Sequence, residues 1–183
     1  MLVLNFAGWA ALSPAIVAQQ SKPQEYEVKA VYLYNFSKFV QWPPAGEESK
    51  DTFAICVLGR DPFGAALDAA IAGEKIEQKA MVARRITDLQ EATKCQILFI
   101  ANSEATHVKQ ILSVLGKNSI LTVSDVAEFS QNGGVIQFVI QENKVRFEVN
   151  LTAAEKAGLT LSSQLLKVAS AVKKYSPAQN ANP

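Results

Sequence analysis

The chain has 183 residues, a mass of 19.8 kDa, and 49% hydrophobic against 19% charged positions. This apolar fraction predicts one folded domain and excludes an intrinsically disordered chain. Eighteen Lys and Arg residues against 17 Asp and Glu give a net charge of +1, which argues against nucleic acid as a partner and against a polybasic membrane protein. With one histidine and two cysteines, the chain has few side chains suited to metal binding or catalysis. We therefore expect no catalytic residue, no metal site and no cofactor.

The first 18 residues have the character of a secretory signal peptide. They are apolar and carry no charge, and a polar segment follows them. Cleavage is predicted after Ala18 or after Ala15, which leaves a mature chain with the same net charge. A membrane anchor and a buried first helix are the alternatives, but Pro14 argues against a stable membrane span. We therefore expect the protein to be exported.

Export changes the interpretation of Cys56 and Cys95. In an oxidising compartment two cysteines are candidates for a disulfide, and a bridge between these two would stabilise the fold by about 4 kcal/mol in the chain-entropy model. Two separate buried thiols are the alternative. The chain contains no Cys-x-x-Cys motif, which argues against a thioredoxin-type oxidoreductase.

Helical and strand patterns alternate along residues 26–174, which we expect to form a single domain. Pro43 ends the first helical pattern, Asp61 and Pro62 are typical of a helix start, and Gly116 is typical of a helix end. In chain order the predicted elements are a helix over 26–42, a strand over 52–58, a helix over 61–71, strands over 80–86 and 95–100, a helix over 104–115, a strand over 119–123, a short helix starting at Asp125, a hairpin of 135–140 and 144–149, a short helix capped by Asn150, and a closing amphipathic helix over 162–174.

The alternation predicts an α/β fold with a mainly parallel β-sheet flanked by helices on both faces. The late hairpin adds antiparallel strands at one edge. The strand over 95–100 is apolar throughout and is therefore expected to be central. Cys56 in the first strand can reach Cys95 at the start of the third only if these two strands are close. Residues 175–183 are polar and contain proline, and we expect a flexible tail there.

Motifs for catalysis or nucleotide binding are absent from the sequence. The loop over 59–64 follows a strand and precedes a helix, but it lacks the Lys and Ser or Thr of a Walker loop. Asp61 would repel an anion there, so helix capping is the expected role of the loop. His107 has no recognisable nucleophile elbow to serve. Arg84 and Arg85 point to opposite faces of a strand, and we expect both to be solvated.

Two groups of residues are candidates for contact with a partner protein. Six aromatic residues crowd the start of the mature chain, and most are expected to pack on the core, while Phe36 and Trp42 are candidates for an anchoring role. Arg146 and Glu148 alternate with apolar residues and are predicted to share one face of a strand. An exposed ion pair there contributes little stability, so partner recognition is the interpretation that we favour.

Several short segments match one family in order and spacing across roughly residues 26–172. They are VKAVYLYNFSKFVQWP at 28–43, VLGRDPFG at 57–64, GGVIQF at 133–138, RFEVN at 146–150, AA at 153–154, AGL at 157–159 and SSQLL at 162–166. With these segments the chain resembles the YfiR family of secreted bacterial regulators.

The resemblance implies a periplasmic, non-catalytic protein of dimer-forming α/β fold. It implies a regulator that represses an inner-membrane diguanylate cyclase by binding its periplasmic sensor region, which lowers cyclic di-GMP. It also implies an outer-membrane OmpA-like lipoprotein that relieves the repression by sequestering the regulator. A family disulfide matches Cys56 and Cys95, whereas a second one has no counterpart because residues 127–140 contain no cysteine.

Two other classes of function stay open from the sequence. A periplasmic small-ligand-binding sensor module for another signalling protein would use the helix ends after Gly59 and Asn102. A secreted hydrolase would depend on His107. Neither alternative accounts for the spread of matching segments.

Overall fold

The computed structural model describes residues 21–44, 51–116 and 118–175. The predicted signal peptide over 1–18, and residues 176–183 of the predicted tail, lie outside the described residues. The described helices are α1 (Lys22–Phe39), α2 (Ala65–Ile71), α3 (Val108–Leu115), α4 (Leu151–Lys156) and α5 (Ser163–Val168), with two 3-10 helices at Leu89–Lys94 and Asn102–His107. The described strands are β1 (Val40–Gln41), β2 (Thr52–Leu58), β3 (Lys75–Ile76), β4 (Lys79–Ile86), β5 (Ile97–Ile100), β6 (Leu121–Ser124), β7 (Ile136–Gln141), β8 (Lys144–Asn150), β9 (Thr160–Leu161) and β10 (Ala171–Lys173).

The main sheet has the strand order β10-β8-β7-β6-β5-β2-β4-β3. Strands β4, β2, β5, β6 and β7 run parallel, β8 runs antiparallel to β7, and β10 runs parallel to β8. Strands β1 and β9 form a separate antiparallel pair. The predicted α/β class with a mainly parallel sheet and a late antiparallel hairpin is confirmed, and β5 is central as expected.

Helices cover both faces of this sheet, and β2 shows the division. Its side chains alternate between two core clusters: Phe53, Ile55 and Val57 pack with α1 and α2, whereas Ala54, Cys56 and Leu58 pack with α3 and the 3-10 helix at Leu89–Lys94. We call these the α1 face and the α3 face. Because β2 is buried on both faces, it needs the continuous apolar run TFAICVL instead of an alternating pattern.

The β7–β8 hairpin is fixed at its turn and by its packing on α1. Glu142 and Asn143 connect the strands with φ values of 51° and 56°, as a two-residue turn between twisted strands requires. Two rings of α1, Tyr32 and Phe36, pack against two rings of the hairpin, Phe138 and Phe147, with centroids 5.1–5.9 Å apart. These four rings hold the hairpin against α1.

The predicted closing helix over 162–174 is wrong beyond Val168. The N–H and the Oγ of Ser170 both donate to the carbonyl of Phe147, and Ala171–Lys173 continue beside β8 as β10. The helical spacing of apolar residues here is also compatible with a short strand. Pairing with the free edge of β8 decides between the two conformations, and the local sequence does not contain that information.

Three other predicted helices differ from the structure near their starts. The helix expected at Asp61 starts at Ala65, because the Asp61 side chain accepts the N–H of Phe63 and forms a turn first. The helix expected at 104–115 is a 3-10 helix up to His107. No helix follows Asp125, where residues 126–133 form turns. In each case a side chain or a turn satisfies the backbone groups that a first helical turn would leave unpaired.

Candidate interaction surface

Cys56 and Cys95 form a disulfide, as expected. Cys56 lies in β2 and Cys95 just before β5, the strand beside it, and their Cα atoms are 5.9 Å apart. The two residues are 0% and 2% exposed and belong to the core cluster of the α3 face. The expected closeness of the two strands is therefore confirmed. Because of this burial the disulfide has no surface to present to a partner.

Phe36 and Trp42, the two aromatic candidates, occupy different environments. Phe36 is 1% exposed among the rings that hold the hairpin, so it supports the fold and offers no contact surface. Trp42 is half-buried, donates its Nε1–H to the carbonyl of Gln96 at 3.2 Å, and meets Phe53 edge to face at 5.1 Å. It lies near the amino ends of the parallel strands and keeps part of its ring accessible.

Arg146 and Glu148 share one face of the hairpin, as predicted. Phe138 and Phe147 belong to the core on the α1 face, so the residues that alternate with them point the other way. We call these residues the hairpin face: Val139, Gln141, Lys144, Arg146 and Glu148. The core cluster of the α3 face contains, among the described residues, no side chain from β7, β8 or β10. Near Gln137 and Asn150 the turn at Ser130 covers this side of the sheet through hydrogen bonds to both residues, whereas Lys144 and Arg146 farther along the hairpin are exposed.

The ion pair on the hairpin face does not join Arg146 to Glu148. Glu148 is 17% exposed and accepts from Lys173 Nζ at 2.7 Å, an interaction that raises the pKa of Lys173. Arg146 and Lys144 are exposed. Within the described part of the chain no carboxylate lies within ion-pair distance of either side chain. Two cations are therefore available to a partner.

The four candidate contact residues do not form one surface. Gln137 pairs with Ser124, the last residue of β6, and Arg146 pairs with Val139 farther along β7. Arg146 therefore lies beyond the carboxyl end of β6. Trp42 lies at the opposite end of the strands. The structure brings Arg146 and Glu148 together, separates Trp42 from them, and buries Phe36.

The helix ends after Gly59 and Asn102, expected to hold any small ligand, are closed against each other. The N–H of Arg60 donates to Ser103 Oγ at 2.9 Å. Gly59 has a φ of +91°, and a Cβ added there would lie 2.5 Å from that Oγ and 2.8 Å from Glu104 Oε1. The two loops are in van der Waals contact, so the crevice where parallel sheets usually hold ligands is filled at this point.

Arg85 is exposed, as expected, but its guanidinium is held by ion pairs and hydrogen bonds that the sequence did not predict. Its guanidinium donates to Asp61 Oδ2 at 2.9 Å, to both oxygens of Asp68 at 2.6 and 2.9 Å, and to the carbonyl of Gly64 at 2.7 Å. These bonds hold the pKa of Asp68 below its ordinary value. Arg85 pairs with Val57 in register and so faces α2. Arg84 is exposed as expected.

A buried charged cluster at Lys29 was not predicted. Lys29 is 2% exposed, and its Nζ binds Glu25, lies 2.6 Å from Asp125 Oδ2, and sits 4.3 Å from the ring centre of Tyr26. The hydroxyl of Tyr26 donates to the same Asp125 oxygen at 2.8 Å. Burial, followed by this carboxylate, raises the pKa of Tyr26 well above its ordinary value. The sequence feature that could have indicated this cluster is the position of Lys29 on the apolar stripe of α1, four residues before Leu33.

Other chemistry-bearing groups stay dispersed. His107 is exposed, and its Nδ1 is 3.6 Å from Glu104 Oε2 on the same short helix. Across residues 21–44, 51–116 and 118–175, no three His, Cys, Asp or Glu side chains gather as a metal site would require. The helices in those ranges include none with the length and apolar character of a membrane span.

The comparison with protein families decides the assignment. The family model described as YfiR/HmsC-like (DUF4154) matches residues 26–170. The chain belongs to the YfiR/HmsC-like family. Membership indicates a periplasmic regulator of diguanylate cyclase signalling, in a family known as regulatory instead of catalytic. No curated protein matches the sequence.

Solved structures share the fold of this YfiR/HmsC-like chain at low identity. A conserved domain protein from Vibrio cholerae matches with a TM-score of 0.54 and 12% identity over 81% of this chain. An ABC domain from Streptococcus pneumonia, solved in complex with L-Trp, matches with a TM-score of 0.53 and 12% identity over 81% of this chain. The matched region spans 60% of each of those chains. At this identity the likeness establishes the α/β fold alone.

Proposed function

We propose that this protein is a non-catalytic repressor of an inner-membrane diguanylate cyclase. It acts in the periplasm, binds the periplasmic sensor region of the cyclase, and thereby lowers cyclic di-GMP. The observation that carries the proposal is the match to the YfiR/HmsC-like family over residues 26–170. The buried disulfide supports the location, because disulfides persist in oxidising compartments.

The contact surface in this proposal is the hairpin face. Arg146 and Lys144 are exposed there without a carboxylate partner among the described residues, and Arg is enriched at interfaces. The rings of Phe138 and Phe147 are fixed against α1. A partner therefore binds a rigid strand pair, and little conformational entropy is lost on binding.

Repression in this proposal is a shift between two arrangements of the cyclase. The regulator binds the low-activity arrangement more tightly than the active one, since equal affinity for both would shift nothing. An OmpA-like outer-membrane lipoprotein competes for the regulator and releases the cyclase. The regulator is proposed to act as a homodimer, which sedimentation of the purified protein tests directly.

The first test is the cyclic di-GMP level in a strain that lacks the gene. A rise that plasmid complementation reverses supports the proposal. If the level is unchanged by the deletion, although the parent strain is shown to express the protein, the proposal is overturned. Calorimetry of the purified protein with periplasmic metabolites then separates the proposal from a small-ligand sensor, because only a sensor gives saturable heat.

A charge-reversal pair locates the surface. Arg146→Glu is expected to raise cyclic di-GMP toward the deletion level. Arg84→Glu is the matched control, because Arg84 is exposed and pairs with Cys56, which places it on the same side of the sheet. Strand β4 is five strand positions from β8, about 24 Å away. If both variants derepress equally, the hairpin face is not the contact surface.

A further inference from the structure

The outer edge of β10 is a strand edge open to pairing. Strand β10 is the last strand in the order of the main sheet, and no described strand lies beyond it. The N–H of Ser170 donates to Phe147 of β8. Since the backbone groups of successive residues point to alternate sides of a strand, Ala171 and Lys173 direct their N–H and carbonyl groups outward. Such groups are a template for an added strand.

The region around this edge is strongly basic. Between Lys144 and Tyr175 the sequence has six Lys and Arg residues against two Glu, whereas the whole chain has a net charge of +1. Both glutamates are already paired, Glu148 with Lys173 and Glu155 with Lys174. The other four cations, Lys144, Arg146, Lys156 and Lys167, are exposed, and this positive charge is complementary to an acidic segment.

The two sides of β10 differ, and this difference defines the pattern of a fitting strand. Lys173 lies on the side of Glu148 and Arg146. Val172 pairs with Val149 on the α1 face and is 41% exposed. A strand added to this edge would place one set of side chains beside cations and the alternate set beside Val172. Acidic and apolar residues in alternation satisfy both sides.

A second copy of this chain fits the edge poorly. Edge-to-edge pairing of two β10 strands would bring together Lys173 and Lys174 of both copies, and like charges on paired strands repel. Lysine at a strand edge is a common device against self-pairing. An acidic strand instead meets the exposed cations Lys144 and Arg146, which have no carboxylate partner among the described residues.

We infer that β10 is a β-augmentation site that accepts an extended segment of alternating acidic and apolar residues from a partner protein. The identity of the partner as the cyclase or the competing lipoprotein rests on the proposed function. The inference that the β10 edge accepts a strand does not depend on it. Backbone hydrogen bonds to Ala171 and Lys173 supply the affinity, and the basic surroundings select the partner.

The direct test is NMR of the isotope-labelled protein with two capped octapeptide probes, one alternating Glu and Val and the other alternating Lys and Val. The Glu peptide is expected to shift the amide signals of Ala171 and Lys173 saturably, at least tenfold more tightly than the Lys peptide, and less at high salt. Unmoved amide signals, or equal shifts with both peptides, overturn the inference. Two other results also overturn the inference. Protection of these amides from hydrogen exchange that grows with protein concentration identifies a second copy as the occupant. Protection that is lost when the chain is truncated after Tyr175 identifies the tail.

Variants at the edge sharpen this test. Ala171→Pro removes an outward donor while leaving the bonds to β8 in place, and it is expected to weaken Glu-peptide binding at least tenfold. Ala171→Ser keeps the donor and serves as the control, with thermal melting to check the fold of both. Arg146→Glu, at an exposed position, is expected to weaken the same binding without any change of backbone. Glu-peptide affinities that stay at the wild-type value in both Ala171→Pro and Arg146→Glu contradict the inference.

The same variants in cells separate the inference from the proposed function. If deletion of the gene raises cyclic di-GMP and Ala171→Pro does not, the edge is not the contact and the repressor function stands. If deletion itself changes nothing, the repressor function fails, and the NMR titration alone decides whether β10 accepts a strand.

Discussion

Lys29 and Asp125, 96 positions apart, form an ion pair with Nζ and Oδ2 separated by 2.6 Å. Asp125 follows the last residue of β6, so the pair fastens α1 to the carboxyl end of a central strand. Lys29 is 2% exposed, and a charge buried this deeply is tolerated only with partners. The carboxylate of Asp125 is therefore expected to contribute more to stability than a carboxylate in an exposed ion pair.

Asp125→Asn is expected to destabilise the fold by about 3 kcal/mol, the lower end of the range for removing one partner of a buried ion pair, because Glu25 still faces Lys29. Urea denaturation measures the loss. Glu155→Gln is the control, since its pair with Lys174 is exposed at 64% and 68% and should not change the midpoint. Equal midpoints for both variants would contradict the assignment of Lys29 as a buried charge.

Phe36→Ala is expected to cost about 4 kcal/mol, because it removes a fully buried ring from the cluster that holds the hairpin. Val31→Ala in the same helix is the control: Val31 is 50% exposed, and its change should stay within about 0.5 kcal/mol. Thermal or urea unfolding of the two variants gives the comparison. A stability loss for Phe36→Ala no larger than that for Val31→Ala would show that the ring is not part of the core.

The double variant Cys56→Ala, Cys95→Ala is expected to lose about 4 kcal/mol of stability, the chain-entropy value for a sequence separation of 39. Both sulfurs are buried, so reductant should leave the native protein unchanged and act only once urea opens the fold. Unfolding curves with and without reductant test both statements. Superimposable curves for the wild type and the variant would refute the stabilising role.

Arg85 confers a pH dependence through Asp68. Its guanidinium lowers the pKa of Asp68 below the ordinary 3.8. The unfolded chain therefore takes up this proton at a higher pH than the folded chain does, and the contribution is present above about pH 4 and lost as the pH falls through the lowered pKa. Because Asp68 is 56% exposed, the contribution is below about 1 kcal/mol.

The variant Arg85→Gln removes that acid-dependent part. Its stability is expected to fall less steeply than that of the wild type below about pH 4. Asp68→Asn should flatten the curve in the same way, because it removes the titrating group itself. Urea midpoints across the acid range measure the slopes. Parallel curves for all three proteins would mean that the guanidinium does not act on Asp68.

The sequence predicts those parts of the fold that local patterns specify. The apolar runs at β2 and β5 and the alternating residues of the β7–β8 hairpin are patterns of this kind. Strand β10 was missed because its conformation depends on the edge of β8, a partner 23 residues earlier in the chain. Short apolar segments take the conformation that their neighbours allow.

In the candidate site, too, the features set by local patterns were predictable and those set by long-range contacts were not. The shared face of Arg146 and Glu148 follows from the period of a strand and was predictable. The partner of Glu148 is Lys173, which the sequence placed in a helix. The contacts of Lys29 and Arg85 were also missed, since each depends on loops brought together by parallel crossovers. Long-range charge pairing leaves no periodic trace in a single sequence.

The disulfide also divides the chain mechanically. Cys56 and Cys95 enclose α2, β3 and β4 in a covalent loop. A pulling force applied to the two ends of the chain is carried across the sulfur bond and cannot extend the loop, which withholds about 130 Å of contour length at ~3.4 Å per residue. Pulling on the two ends would thus extend only the segments outside the loop that Cys56 and Cys95 close.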